Sequence, residues 1–218
     1  MLLPVECGSF QYPHPRAESF AACYGKALKT FDAIRILCEG GYGEDAVILA
    51  RSLVNVIINM GYIRSASDRD ELARDFVAAG RIAHRDFMKQ FPEPSPDSGK
   101  EVDWPAFEKR AKRWEFNIRK RAEDAGLEKT YQEHYRFGSS FEHSDAWSLA
   151  SYWGPSDETN QQINDGPSDN LVEIALNITF MTMVDLVKIV TEAFKLPQAE
   201  MLRTIFEQAW HREIQPKR

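Results

Sequence analysis

The chain has 218 residues and a formal net charge of −6 at neutral pH, with 43% apolar and 28% charged residues. This length suits one sizeable folded domain or two very small ones, and the composition excludes collagen, a disordered tail protein and a disulfide-rich scaffold. It also excludes a nucleic-acid-binding protein that is basic throughout, although a local basic patch remains compatible with it.

The cysteines and the two longest apolar runs indicate in which cellular compartment the protein is expected to be. Cys7, Cys23 and Cys38 are odd in number and lack zinc-knuckle spacing. Cys23 and Cys38 lie in an apolar helical pattern, which predicts buried free thiols and favours the cytoplasm. The first residues lack the positive region of a signal peptide. Charged and amide side chains interrupt the apolar runs 46–63 and 171–190, so we expect core helices and no membrane contact.

The hydrophobic pattern is helical along most of the chain. Apolar residues recur at three- and four-residue spacing, and no stretch alternates as a half-buried strand does. We therefore predict an all-α, single-domain bundle of six to eight helices with mostly antiparallel neighbours. The predicted helices cover residues 16–39, 44–64, 67–91, 103–125, 129–136 with an extension towards 152, 168–195 and 197–213.

The domain boundaries follow from where the helical pattern begins and ends. We predict an irregular N-terminal arm over residues 1–15, one helical domain over 16–213 and a tail over 214–218. Proline- and glycine-rich composition predicts loops at about 92–102 and 154–167 inside the domain.

A polar stripe crosses the most apolar helix. Arg51, Asn55 and Asn59 recur at four-residue spacing, which places them on one face of the helix. A buried guanidinium keeps its proton and needs acceptors, so one interpretation is an internal ion pair with amide bridges. The other is a cleft in which Arg51 binds a phosphate or carboxylate. The carboxylates available for the internal pair are Asp32, Glu142 and Asp145.

Residues 131–145 concentrate side chains that can do acid–base chemistry. Arg136 and His143 are seven positions apart, which on a helix is the same face at about 10 Å along the axis. A phosphodiester fits between them, with His143 as general acid or base and Arg136 neutralising the phosphorane. This spacing resembles the Arg-x(4–6)-His pattern of HEPN ribonucleases, which are small all-α bundles. The alternative is that His143 bridges helices while Ser139 and Ser140 bond backbone at a bend.

Other polar groups near that motif are candidates for positioning a ligand. No His-x3-His or Glu-x2-His pair lies on a helical face, so we expect no metal and no other cofactor. The candidate binding and positioning residues are Arg51, Asn55, Asn59, Tyr135, Ser139, Ser140 and Glu142.

A basic segment lies within the predicted helix 103–125, where aromatic residues are interleaved with the charges. One interpretation is a solvated amphipathic face, and the other is a patch that steers RNA or another polyanion towards the site. The basic residues are Lys109, Arg110, Lys112, Arg113, Arg119, Lys120 and Arg121.

Two stretches resemble a bacterial helical family, domain of unknown function 5677. The run from Gly43 to Leu53 is similar to the second-helix signature of that family, although Asn55 stands where the family usually has a glutamate. The cluster Tyr135, Ser139, Ser140, His143 and Ser144 is similar to its second signature. The resemblance implies a helical bundle with Arg51 and His143 as candidate positions, and its members look similar to HEPN and abortive-infection proteins.

Two functional hypotheses follow. The first is a HEPN-like, metal-independent endoribonuclease of a defence or toxin system, acting as a homodimer in the cytoplasm. The second is a non-catalytic helical module that binds a protein partner or a small anion through a polar cleft around Arg51 and His143.

Overall fold

The computed structural model describes residues 15–90, 102–153, 163–194 and 204. These residues are mainly helical and contain no β-strand, only two isolated bridges, Tyr42–Ser168 and Trp153–Ile163. The prediction of an all-α protein is confirmed.

The helices of the described ranges follow one another with short connections. A π-helical turn at Tyr131–Tyr135 joins α6 to α7, and a 3-10 turn at Ala150–Tyr152 extends α8. The α-helices are α1 (Pro15–Glu39), α2 (Gly43–Ser65), α3 (Arg69–Gln90), α4 (Trp104–Ala111), α5 (Ile118–Asp124), α6 (Glu128–Thr130), α7 (Arg136–Glu142), α8 (Ala146–Leu149) and α9 (Val172–Phe194).

The four long helices α1, α2, α3 and α9 agree closely with their predicted ranges, because each has a long apolar pattern between clear end signals. Several other predictions lie wholly or largely outside the described residues. These are the arm 1–15, the loops 92–102 and 154–167, the last helix 197–213 and the tail 214–218.

The prediction of one helix over residues 103–125 is wrong. The segment forms two short helices, α4 and α5, separated by residues 112–117. Asp103 caps α4 as expected, and Asn117 starts α5 by accepting hydrogen bonds from two backbone N–H groups of its first turn. The apolar spacing suggests one continuous helix, but the cap at Asn117 starts a new helix instead.

The predicted extension of the helix at 129–136 towards residue 152 is also only partly correct. The chain is helical from Glu128 to Glu142, and Gly138 does not interrupt it. His143 leaves the helical region with φ −92° and ψ 2°, and Ser144 adopts φ 52°. The helix therefore ends at Glu142, and the left-handed conformation of Ser144 prevents it from continuing.

The chain divides into two compact units, one formed by residues 1–21 and 67–114 and the other by residues 22–66 and 115–218. That 16–213 form one domain stays a prediction. In the first unit, α3 packs against α4, and the rings of Phe76 and Trp114 lie 5.0 Å apart.

Helix α2 is the centre of the second unit, where it packs against α9, α7 and α5. The start of α2 at Gly43 meets the start of α9, since a Cβ on Gly43 would lie 2.0 Å from the Asn170 carbonyl oxygen. At the other ends, Arg64 Nη1 donates to Glu192 Oε2 at 2.8 Å. The two helices therefore run parallel, although the chain between them is long.

Helices α2 and α9 are also long and apolar enough to cross a membrane by length and composition. In their most apolar windows, 61% of the α2 residues and 44% of the α9 residues are buried inside the protein. Burial of this kind is what a core helix also shows.

Candidate functional site

The polar stripe of α2 is present in the structure. Arg51, Asn55 and Asn59 are partly buried on one side of the helix, while Leu53, Ile57 and other apolar side chains are fully buried around them. The predicted shared face is therefore correct, and it turns towards α5, the π-helical turn and α7.

Arg51 is the centre of a hydrogen-bonded cluster. Its Nε donates to Ser139 Oγ at 3.0 Å, and its Nη2 donates to the Tyr135 hydroxyl at 2.7 Å. The guanidinium also lies over the Tyr135 ring, 4.5 Å from its centroid. The Glu142 carboxylate pairs with both terminal nitrogens of the guanidinium, with Nη1–Oε1 and Nη2–Oε2 distances of 2.9 Å each. We call these four residues, Arg51, Tyr135, Ser139 and Glu142, the Arg51 cluster.

The Arg51 cluster holds α7 on α2. The Arg51 side chain is 17% exposed and that of Glu142 is 35% exposed, so the guanidinium is largely shielded from water while the carboxylate is partly exposed. Gly138 allows the approach, because a Cβ there would lie 2.5 Å from the Arg51 Cβ. Among the three carboxylates considered from the sequence, Glu142 is therefore the partner of Arg51.

The π-helical turn lies directly before α7 and carries Tyr135. The rings of Tyr131 and Tyr135 stack at 5.3 Å with an interplanar angle of 18°. A π-helical turn inserts an extra residue into a helix and changes the direction in which its side chains point. Tyr135 reaches Arg51 from this turn, whereas Ser139 and Glu142 reach it from α7.

His143 lies at the surface next to the Arg51 cluster. Its side chain is 67% exposed, and its Nε2 is 3.7 Å from Glu142 Oε2. Arg136, at the other end of α7, is exposed and donates to Gln132 Oε1 at 3.1 Å. It has no carboxylate partner within the part of the chain that the structure describes.

Three predicted binding residues lie outside the Arg51 cluster. Asn59 accepts a hydrogen bond from Arg121, and the Asn55 Oδ1 atom is buried with no hydrogen-bond partner among the described side chains and backbone. Ser140 bonds within its own helix, with its Oγ 3.4 Å from the Arg136 carbonyl oxygen. None of the three is hydrogen-bonded to Arg51.

The seven predicted basic residues do not form one exposed basic helix. They are divided between the two units, and most of them pair with nearby acids. Burial lowers the pKa of Arg121, which is only 8% exposed, so this residue belongs to the interior rather than to a surface patch. The ion pairs are Arg110–Asp75, Arg113–Asp75, Arg119–Glu123 and Lys120–Asp124.

Cysteine and metal chemistry have little support in the described ranges. Cys23 is buried, and burial raises the pKa of its thiol to about 11, which keeps it protonated. Cys38 is a free, half-buried thiol, and Cys7 lies outside the described residues. No group of three or more His, Cys, Asp or Glu side chains there is placed to hold a metal ion.

Three aromatic side chains that were not predicted as functional form a cluster on α7 and α8. Trp147 is 61% exposed, and its ring meets the rings of Phe137 and Phe141 edge-on at 5.6 and 5.7 Å. The four-residue spacing of the two phenylalanines is the signal that could have revealed it.

The comparisons with known proteins show the family of the chain. A family model described as "Family of unknown function (DUF5677)" matches residues 18–162, which include all four residues of the Arg51 cluster. No curated protein and no solved structure matches the chain significantly. Because the model covers well over half of the sequence, the chain belongs to the DUF5677 family.

Proposed function

We propose that this protein is an endoribonuclease that cleaves RNA by acid–base chemistry at His143. The observation that carries the proposal is the pair of exposed groups on α7. His143 and Arg136 are both accessible, and no carboxylate neutralises Arg136 within the described residues. A phosphodiester between them would meet a proton acceptor and a positive charge.

The chemistry needs one proton acceptor and one anion ligand. His143 takes the proton of a ribose 2′-hydroxyl, whose oxygen attacks phosphorus while the bond to the 5′-oxygen breaks. The leaving 5′-oxygen takes a proton from water, so the products are a 2′,3′-cyclic phosphate and a 5′-hydroxyl. Arg136 stabilises the negative charge that gathers on the phosphorane.

Arg51 acts in this proposal as a positioning residue. Its N–H groups already bind Ser139, Tyr135 and Glu142, so few donors remain for a phosphate. Instead, it fixes Glu142, whose Oε2 atom lies 3.7 Å from His143 Nε2, and so holds the end of α7 from which His143 projects.

The aromatic cluster suits a single-stranded substrate. An exposed indole can stack on any base without reading its sequence, and such stacking contributes about 1–3 kcal/mol per base. Trp147 is four residues beyond His143 and is braced by Phe137 and Phe141. It is therefore our candidate for the base platform.

The wider hypothesis is a HEPN-like enzyme that works as a cytoplasmic homodimer in a defence or toxin system. It is supported by the Arg-x6-His spacing of Arg136 and His143 and by the all-α architecture. Both supports are analogies at the level of motif and fold.

The test is cleavage of a labelled single-stranded RNA by purified protein in EDTA. We expect the wild type to cleave, and His143→Ala and Arg136→Ala to lose at least about 100-fold in rate. Matched controls are His84→Ala and Arg69→Ala, two exposed residues of α3 that should keep the wild-type rate. Intact RNA with the wild type, or equal rates in all variants, would overturn the ribonuclease proposal. RNA binding without cleavage would favour the non-catalytic module.

A further inference from the structure

A cavity lies in the first unit, between the beginning of α1, helix α3 and helix α4. Its volume is about 290 Å³, near the lower end of the range for small-molecule sites. Three of its lining side chains are arginines, one is a phenylalanine and one is a glutamate. The lining residues are Glu18, Arg74, Val77, Arg81, Phe107 and Arg110.

Carboxylates fix two of these arginines through one nitrogen each. Glu71 accepts from Nη1 of Arg74, and its other oxygen lies 2.9 Å from Nη1 of Arg110. The buried Asp75 carboxylate is 3.2 Å from the same Arg110 nitrogen. The Nε and Nη2 groups of Arg74 and Arg110 have no acceptor in the described residues, so they remain available to an anion.

Arg81 is the least neutralised cation of the cavity. Its guanidinium lies 5.1 Å from the centroid of the Phe107 ring, and no carboxylate pairs with it in the described part of the unit. A guanidinium on an aromatic face makes a flat wall that favours a planar ligand. Glu18 adds an exposed carboxylate that has no cation within 4.0 Å among the described residues. This carboxylate can accept hydrogen bonds from N–H groups of such a ligand.

We propose that this cavity binds a mononucleotide with an amino-bearing base. The phosphate binds the free N–H groups of Arg74 and Arg110, the base stacks on the face of the Arg81 guanidinium that is turned away from Phe107, and Glu18 accepts from the exocyclic amino group. This site is independent of His143, and it stands whether or not the chain cleaves RNA.

The experiment is calorimetric titration of the full chain with AMP, adenosine, ribose 5-phosphate and inorganic phosphate. We expect AMP to bind at least 10-fold more tightly than any of the other three. Only AMP has both a phosphate for Arg74 and Arg110 and a base for Arg81 and Glu18. Glu18→Gln should weaken AMP binding but leave ribose 5-phosphate binding unchanged. Arg81→Met should weaken AMP binding at least 10-fold.

Arg85→Met is the matched control for Arg81→Met. Arg85 lies on the same helix and also covers an aromatic ring, 5.0 Å from the Trp104 centroid, but it does not line the cavity. The Arg85→Met variant should bind AMP with the same affinity as the wild type. Absence of AMP binding, equal loss in both arginine variants, or phosphate binding as tightly as AMP would each overturn the proposal. Circular dichroism checks that each variant is folded.

Discussion

Arg51 shows how a charged side chain is kept within an apolar bundle. It is mostly buried on α2, yet its donors are met by a carboxylate, a phenol and a hydroxyl from one neighbouring segment. A buried charge costs several kcal/mol unless it is paired in this way. The pairing fixes the position of α7, and with it the positions of Arg136 and His143.

Replacing Arg51 should therefore destabilise the protein more than replacing an exposed arginine. We expect Arg51→Met to lower the free energy of unfolding by about 2–3 kcal/mol, because Glu142 loses a two-point partner. Arg35→Met is the control, since its pair with Glu39 has side chains that are 50% and 63% exposed and should contribute less than about 0.5 kcal/mol. Urea denaturation measures both. Equal losses would show that the Arg51–Glu142 pair is no stronger than an exposed ion pair.

Asp185 gives a second prediction, on pH. Burial raises the pKa of this α9 carboxyl, and Lys188, His134 and Arg64 oppose the shift. The folded state thus binds the proton more tightly than the unfolded state, so stability is lost as pH rises from the ordinary pKa of aspartate, about 3.9, through the higher pKa of the folded state. Asp185→Asn should raise the melting temperature at pH 7, and the gain should shrink towards pH 4.

Asp169→Asn, at an exposed position, is the control for this pH effect. We expect it to change the melting temperature by the same small amount at both pH values. A gain from Asp185→Asn that is equal at pH 7 and pH 4, or a loss at pH 7, would contradict the assignment of a buried, unfavourably charged carboxylate.

At the scale of the element, the junction of α7 with α2 depends on one glycine. A Cβ on Gly138 would lie 2.5 Å from the Arg51 Cβ and 3.1 Å from the Val47 carbonyl oxygen. Gly138→Ala should therefore cost about 1–3 kcal/mol, although alanine favours helices. Gly80→Ala in α3, where a Cβ meets nothing within 4 Å, should instead gain up to about 1 kcal/mol. Thermal unfolding compares them, and a stabilising Gly138→Ala would refute the close contact.

The long helices could be predicted from sequence because their ends carry local signals, such as the glycines after α1. The break between α4 and α5 was missed because apolar spacing continues across residues 112–117, whereas the cap at Asn117 acts through hydrogen bonds that spacing does not show. The π-helical turn was missed because nothing in residues 131–135 distinguishes it from an α-helix.

At the scale of the whole molecule, the sequence indicated the face of α2 but not what covers it. Glu142 was one of three carboxylates considered, and only the packing of α7 on α2 selects it. The parallel pairing of α2 with α9 and the division into two units depend on contacts between residues far apart in the chain. Local patterns do not determine such contacts.

The charge distribution predicts a weak salt dependence for RNA binding. Most of the seven basic residues between 109 and 121 are neutralised by acids or buried, and Lys109 and Lys112 are the two without a carboxylate partner in the described ranges. Seven phosphate contacts to single-stranded RNA would give a slope of log affinity against log salt of about −5, whereas two would give about −1. We expect the smaller slope in fluorescence titrations. A slope near −5 would instead indicate that all seven basic residues contact RNA as one continuous patch.

Chemical rescue of His143→Ala by imidazole is the most direct test of His143 as the proton acceptor in RNA cleavage. The His143 side chain is 67% exposed, so free imidazole can reach the space that its removal leaves. We predict that imidazole restores RNA cleavage to His143→Ala, with a rate that follows the concentration of its neutral form, and does nothing for Arg136→Ala. No restoration, or equal stimulation of both variants, would contradict the role of His143 as the proton acceptor.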